Sequence, residues 1–282
     1  MTNRITELFG IETSTPTKIN WGEIASIQHC PFLGRKCLKV RKSQPHISIG
    51  TCSVRYGKGN DSIIICPFRL QERNQIFTDC LHLLTLHEPG NQLHVVTEIA
   101  IPGGSVDYFL VSARNSKIVD FVGIELQTLD TTGTLWPARE RFLQEKGLLT
   151  RSEDTISNKG FGINWKMTAK TTLIQLHHKI ETFENINKQL VLVIQDRFLK
   201  YMRKEFRFDH LQPARLGDPM HIHAYALEPS TATSHLELKE RISTDMKDIS
   251  ICLGMKATAN VAVENIIRLL ESKISHKTLF TL

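Results

Sequence analysis

No stretch of the 282 residues approaches the roughly 20 consecutive apolar residues that a membrane-crossing helix needs. The opening segment, MTNRITELFGIETSTP, lacks the continuous apolar core of a secretory signal, so a cytoplasmic location is expected. Internal repeats, coiled-coil heptads and low-complexity runs are also missing, which argues against solenoid and fibrous architectures. There are six cysteines, yet no Cys-x2-Cys unit of the kind that common zinc ribbons carry. What remains is the composition of an ordinary soluble protein, 41% hydrophobic and 23% charged, long enough for one large domain or two modest ones.

The formal net charge is +6 and the pI about 9.0, which suits an acidic partner such as nucleic acid. Arg35, Lys36, Lys39, Arg41 and Lys42 crowd one short segment, and Arg197, Lys200, Arg203, Lys204 and Arg207 another. Either cluster fits a solvated surface as well as it fits phosphate contact. The cysteines are unevenly placed: Cys30, Cys37, Cys52 and Cys66 fall in the first quarter, while Cys80 and Cys252 stand apart. In a reducing compartment two disulfides are improbable, so a grouped set of four points to metal. Four thiolates bind zinc or iron tetrahedrally, and softness alone does not choose between them. Cys80 and Cys252 lie among apolar neighbours and read as core residues.

Residues 1–28 give few structural signals, and 29–69 are short, basic and Gly-containing, which sets an N-terminal thiol segment, 1–69, apart from a core over 70–282. Leu70, Ile76, Phe77, Cys80, Leu81 and Leu84 recur at helical spacing, predicting an amphipathic helix over 70–87 that ends at Pro89-Gly90-Asn91. Three strands are expected at 92–101, 106–113 and 117–129, then a short helix near 136–146 and a polar loop over 150–162. A long helix follows over 166–186, with Leu173, Leu176, Ile180 and Phe183 on one face, then a buried strand, Gln189-Leu-Val-Leu-Val-Ile-Gln195. A helix at 198–206, a strand at 220–227 and a final helix at 258–274 complete an α/β reading.

The third strand carries the chemistry. In Phe121-Val-Gly-Ile-Glu-Leu-Gln127, Val122, Ile124 and Leu126 share one face, and Glu125 and Gln127 the other. A carboxylate within so apolar a strand is costly unless it is paired or coordinates a cation. If this strand pairs with its predecessor through the turn at 114–116, Asp107 falls beside Glu125. Two such carboxylates, with the Leu126 carbonyl, form the hard oxygen site that magnesium favours. Glu98, at the end of the first strand, reads as a surface residue that could add a further acid. For a single strand the ordinary alternative is a half-exposed face; the joint pattern of Asp and Glu-x-Gln is less ordinary.

Six segments carry a resemblance: Cys-Pro-Phe (30–32), Cys-Pro-Phe-Arg (66–69), Gly-Gly-Ser-Val-Asp-Tyr (103–108), Gly-Ile-Glu-Leu-Gln-Thr (123–128), Asn-Trp-Lys-Met-Thr (164–168) and Gln-Leu-His-His-Lys-Ile (175–180). Over roughly residues 20–200 the chain resembles the NotI-like restriction endonucleases, a branch of the PD-(D/E)XK nuclease superfamily. The resemblance implies a helix–three strands–helix–strand nuclease core and a type II enzyme cutting double-stranded DNA at a GC-rich palindrome. It implies Asp107, Glu125 and Gln127 as catalytic positions, Gln127 standing where the wider superfamily has Lys. It also implies one iron held by Cys30, Cys37, Cys52 and Cys66, and a neighbouring DNA methyltransferase gene is expected. A homodimer is expected, because two active sites related by a two-fold axis cut both strands of a palindrome most simply.

The histidine pairs His221/His223 and His177/His178 have metal-like spacing but no matching carboxylates nearby in sequence, and read as structural or surface groups. The loop before His223, with Arg215 and Asp218, is a candidate for reaching base edges. Two other readings compete: a metal-stapled DNA-binding protein without catalysis, and a repair or junction nuclease of the same superfamily. Glu-x-Gln in an apolar strand goes unexplained in the first, and the cysteine segment in the second.

Overall fold

The computed structural model describes residues 4–57, 61–156, 160–208, 210–229 and 233–254. The final helix expected at 258–274 lies outside the described residues.

The first 64 residues hold an antiparallel sheet that the sequence did not announce. Strands β1 (Ile5–Leu8), β2 (Ile11–Glu12), β3 (Thr51–Arg55) and β4 (Ser62–Ile64) pair in the order β2-β1-β3-β4. Between them α1 (Trp21–Ile27) starts at Asn20, whose Oδ1 accepts the Glu23 N–H at 3.2 Å. Asn20 Nδ2 in turn donates to the Glu23 carboxylate, a reciprocal cap that satisfies a free helix-end donor. Gln28, left-handed at φ 55°, stops the helix and turns the chain into a hairpin of His29–Cys30 with Arg35–Lys36.

The main body is a seven-stranded mixed sheet of β5 (Gln92–Ile101), β6 (Gly104–Arg114), β7 (Lys117–Gln127), β8 (Leu190–Gln195), β9 (Gln212–Pro213), β10 (Met220–Glu228) and β11 (His235–Thr244). Its order is β9-β11-β10-β8-β7-β6-β5. The β6–β7 hairpin closes on Asn115 and Ser116, both at positive φ, as a two-residue turn compatible with strand twist demands. β8 runs parallel to both β7 and β10, so the chain crosses over the sheet between β7 and β8. That crossover contains α2 (Trp136–Glu145) and the long α3 (Trp165–Asn185); α4 (Asp196–Glu205) and α5 (Met246–Cys252) follow.

Every residue of β8 is buried, as a strand covered on both faces must be. One cover is helical: Leu173, Leu176, Ile180 and Phe183 of α3 and Phe198, Leu199 and Met202 of α4 join a core that also takes in Ile5, Leu8 and Cys30. Each such aliphatic or aromatic side chain contributes about 1.5–3 kcal/mol by leaving water. The opposite cover is residues 64–84, whose Leu70, Ile76, Phe77, Cys80 and Leu83 pack on Leu110, Val122, Val191 and Tyr225.

That second cover corrects the helix expected over 70–87. The backbone instead makes a 3-10 stretch at Pro67–Asn74, a single α turn at Gln75–Thr78 and another 3-10 turn at Leu81–Leu83. Glu72 is extended and Arg73 and Asn74 are left-handed, which breaks any continuous helix. Glu72 is drawn out of helical geometry by its contacts, since its carboxylate accepts from Arg69 and from the Leu236 backbone. Among the described residues the other expected helices and strands are present with ends shifted by a few residues, the expected loop over 150–162 holds one helical turn at Ser152–Thr155, and β11 and α5 carried no sequence signal.

Candidate active site

In the β6–β7 ladder Tyr108 stands opposite Ile124, and one step further Asp107 lies beside Glu125. The Leu126 N–H donates to Asp107 Oδ2 at 2.8 Å, and the Asp107 backbone donates to the Glu125 carboxylate. N–H and C=O of a strand residue point the same way, so the Leu126 carbonyl also faces Asp107. On the other side of β6, the pairs Val106–Ile99 and Tyr108–Thr97 bracket Glu98, which is set abreast of Asp107 at φ 53°. Glu98, Asp107 and Glu125 therefore form a row across three adjacent strands.

A cation meets this row. Lys179 of α3 is 7% exposed, and its Nζ donates to Glu125 Oε1 at 2.6 Å. The helix comes this close because the Pro102-Gly103-Gly104 turn seats on it. A Cβ on Gly103 would stand 2.5 Å from the His178 carbonyl oxygen, and Thr182 Oγ1 donates to the Pro102 carbonyl at 2.8 Å. Burial pushes the Glu125 carboxyl up to about 7; the Lys179 hydrogen bond opposes this, and the Asp107 charge adds to it. Asp107 is raised as well, chiefly by burial, against the pull of the Leu126 N–H and Lys179. Two adjacent carboxyls with raised pKa values at a cleft are a mark of a functional site.

Gln127 shares the Glu125 face of β7, but its Nε2 donates to the Thr128 carbonyl at 2.7 Å. Of the residues expected to act together, the structure joins Asp107, Glu125 and the Leu126 backbone, and turns the Gln127 amide nitrogen aside. Sequence reasoning missed Lys179. The available signal was a charged residue on an otherwise apolar helical stripe, three residues after Leu176 and four before Phe183.

The cleft beside the row is about 520 Å³ and is bounded by Glu98, Asp107 and Leu126 on the sheet side and by Arg35, Leu38 and Phe68 on the other. The thiol segment thus forms a wall of the same cleft. Of the first basic cluster, Arg35 faces this cleft, whereas Arg41 pairs with Asp154 at 2.8 Å and stacks over Trp136. In the second cluster Arg197, Lys200 and Arg203 are paired with Asp61, Asp196 and Glu240. A larger hollow of about 650 Å³ at the ends of β8 and β10 takes in Arg197 and Lys200 with their partners Asp61 and Asp196, and the acids Glu228 and Glu240 beside Lys239. The loop with Arg215 and Asp218 precedes β10, and β7, β8 and β10 are parallel. It therefore sits before the starting ends of β8 and β10, whereas Glu125 stands level with Leu192 and Ile222, and Asp218 is held by Ser243.

Cys30, Cys37, Cys52 and Cys66 are all buried and all free. Burial is the main cause raising the Cys30, Cys52 and Cys66 thiols, and charge on one thiol would be felt at others, Cys66 by Cys52 and both Cys37 and Cys30 by Cys66. The donor set and its burial fit a thiophilic ion. Among the described residues, however, no group of three or more His, Cys, Asp or Glu side chains stands in a metal-holding arrangement.

His221 and His223 are buried on one face of β10. His223 stacks on His82 and its Nδ1 is 3.9 Å from Cys80 Sγ, inside the packed second cover. Among the described residues no helix is long and apolar enough to cross a membrane.

Comparison with known families places the chain. The family model described as "Restriction endonuclease NotI" matches residues 23–226, well over half of the sequence and inclusive of every residue of the carboxylate row. No curated protein matched the chain.

Proposed function

The chain belongs to the restriction endonuclease NotI family, whose members act on double-stranded DNA, and from that premise we propose a magnesium-dependent type II enzyme that cuts a GC-rich palindrome. The observation that carries the proposal is that Asp107, lining the cleft, accepts the Leu126 N–H while its own backbone donates to the Glu125 carboxylate, so that two half-buried carboxyls and the Leu126 backbone converge. Residues 70–282 are read as a PD-(D/E)XK-type nuclease core and 1–69 as the thiol segment that walls its cleft.

Asp107, Glu125 and the Leu126 carbonyl would hold Mg²⁺, all three being oxygen donors of the kind this ion selects. When bound it supplies charge neutralisation at the phosphate and an acidified water. The chain's own residues do the rest. Glu98 and Asp107 face the cleft where a phosphate would enter. Gln127, whose Nε2 is held by the Thr128 carbonyl, would orient the attacking water through its Oε1 acceptor, since an amide does not titrate near neutral pH. The water oxygen bonds to phosphorus and gives a proton to solvent, one P–O ester bond breaks, and the departing oxygen takes a proton back from solvent.

Asp107→Ala and Glu125→Ala should each abolish cleavage while binding to specific DNA persists with Ca²⁺ in place of Mg²⁺. Gln127→Ala should lose most activity, an effect of several kcal/mol on the barrier being within reach of lost orientation. A Glu125→Ala protein that folds and cuts plasmid DNA into the wild-type bands would refute the site.

The four cysteines are proposed to hold one iron, with zinc as the other ion that the donors suit. Elemental analysis of fresh protein should find about one such ion per chain, and none at all would overturn this reading. A homodimer on DNA is proposed from the single catalytic row per chain, together with a cognate methyltransferase encoded nearby. Light scattering of the DNA complex tests the former.

A further inference from the structure

We propose that Lys179 is the positioning residue of this site, the fixed cation that holds Glu125 and offsets the carboxylate row so that a phosphodiester can approach. The inference rests on the nuclease reading above and goes beyond it, since neither the Asp…Glu-x-Gln pattern nor the family match assigns a cation to the site.

Three observations carry it. First, the ammonium is buried yet points at Glu125 Oε1 over 2.6 Å, a charge-assisted bond at the short end of the range. Second, Gln127 has no charge to offer and its Nε2 donates to the Thr128 carbonyl, so among the described residues Lys179 is the side-chain donor on the Glu125 carboxylate. Third, the placement is built into the backbone. Gly103 admits the His178 carbonyl at a distance that no Cβ would tolerate, and a Cβ on Gly104 would sit 3.1 Å from Lys179 Cε. Thr182, one turn on, ties the helix to the same turn through Pro102.

The electrostatic argument follows from the row. Glu98, Asp107 and Glu125 together present up to three negative charges to a polyanion. The charged groups facing this row from the elements packed on it are Lys179 of α3 and Arg35 of the opposite cleft wall. Arg35 comes from the thiol segment, whereas Lys179 touches the row itself. Without Lys179, the Glu125 carboxylate keeps the Asp107 backbone hydrogen bond but loses its charged partner, and the phosphate meets a row offset by Arg35 across the cleft.

The test compares wild type, K179Q, E125Q, K179Q/E125Q and K179Q/Q127K. Melting temperature, single-turnover cleavage with Mg²⁺ and affinity for specific DNA without divalent ions are measured for each. K179Q should melt within a few degrees of wild type, cleave at least a hundredfold more slowly, and bind metal-free DNA about tenfold more weakly. E125Q should shift metal-free DNA binding the other way, and the double variant should return it close to wild type. Because residue 127 shares the Glu125 face of the strand, K179Q/Q127K should recover part of the cleavage. If K179Q does not fold, K179M, which keeps the apolar stem without a buried amide, carries the same comparison. The proposal is overturned if K179Q cuts within threefold of wild type while E125A is inactive. It is equally overturned if the folded fraction of K179Q binds metal-free DNA as wild type does. A wild-type protein that leaves DNA intact would instead remove the nuclease reading beneath it.

Discussion

Replacing Arg69 by Met should unfold this protein more readily than any surface change, and the structure gives the size of the effect. Arg69 is 1% exposed; its Nε donates to both oxygens of Glu7 at 2.9 and 3.1 Å, one terminal nitrogen to Glu72 at 3.0 Å and the other to the Ser234 carbonyl at 2.8 Å. The guanidinium also lies over the Phe32 ring at 4.8 Å. One side chain thus ties β1, the 3-10 stretch after Cys66, the thiol hairpin and the start of β11. Methionine fills the space but leaves the Glu7 carboxylate, itself 1% exposed, with the Ser53 hydroxyl as its side-chain donor among the described residues. Stranding one member of a buried ion pair costs about 3–5 kcal/mol. For a chain of this size that is a fall in melting temperature of roughly 6–10 °C. Urea denaturation of R69M and of E7Q/R69M at neutral pH measures it. The double variant should recover a large part of the loss, because the uncompensated charge is gone. An R69M protein within about 1 kcal/mol of wild type, or a double variant no better than R69M, would show that the reasoning is wrong.

Two further outcomes follow from groups described above. Burial depresses His221 to about 4 and His223 to about 3, whereas an unfolded histidine titrates near 6.5. The unfolded chain then binds more protons below about pH 6.5, so stability present above that pH is lost as pH falls toward 4 for His221 and toward 3 for His223, by an order of 3–5 kcal/mol each. Glu125, raised to about 7, works in the opposite sense, its contribution falling as pH rises from about 4.5 to 7. H223N should flatten the acid slope of melting temperature; an unchanged slope between pH 4.5 and 6.5 counts against the assignment. Gly103→Ala places a methyl against the His178 carbonyl at a φ of 91°, so the turn must lift from α3. Its stability should drop by about 1–3 kcal/mol, and cleavage should drop further than stability alone explains. Wild-type cleavage by folded G103A would separate the turn from the site.

Much of the site was legible because it is local in sequence. The strand alternation around Glu125, the turn residues at 114–116 and the position of Asp107 were enough to place the two carboxylates side by side. The helix expected over 70–87 failed for an instructive reason. Periodicity reports which side chains are buried, and Leu70, Ile76, Phe77, Cys80 and Leu84 are. It does not report whether the backbone between them is continuous, and the outward contacts of Glu72 break it. Lys179 stood out in sequence as a charge on an apolar helical stripe, but its partner lies 54 residues away and no spacing rule links a crossover helix to a strand. The N-terminal sheet was hidden by strands of two to five residues, too short for alternation to register.

The switch from antiparallel to parallel pairing at β7 and β8 also bears on the order in which the chain assembles. The hairpin bearing Asp107 and Glu125 closes through a two-residue turn, a step that needs little loop entropy. Lys179 arrives only when the whole crossover between β7 and β8 has docked, a slower and longer-range event. The two acids are therefore expected to meet before their counter-ion is present. Docking of the crossover then buries the Glu125 carboxyl and raises it to about 7, so near neutral pH refolding should take up a proton in its late phase, which an indicator dye in weak buffer can follow.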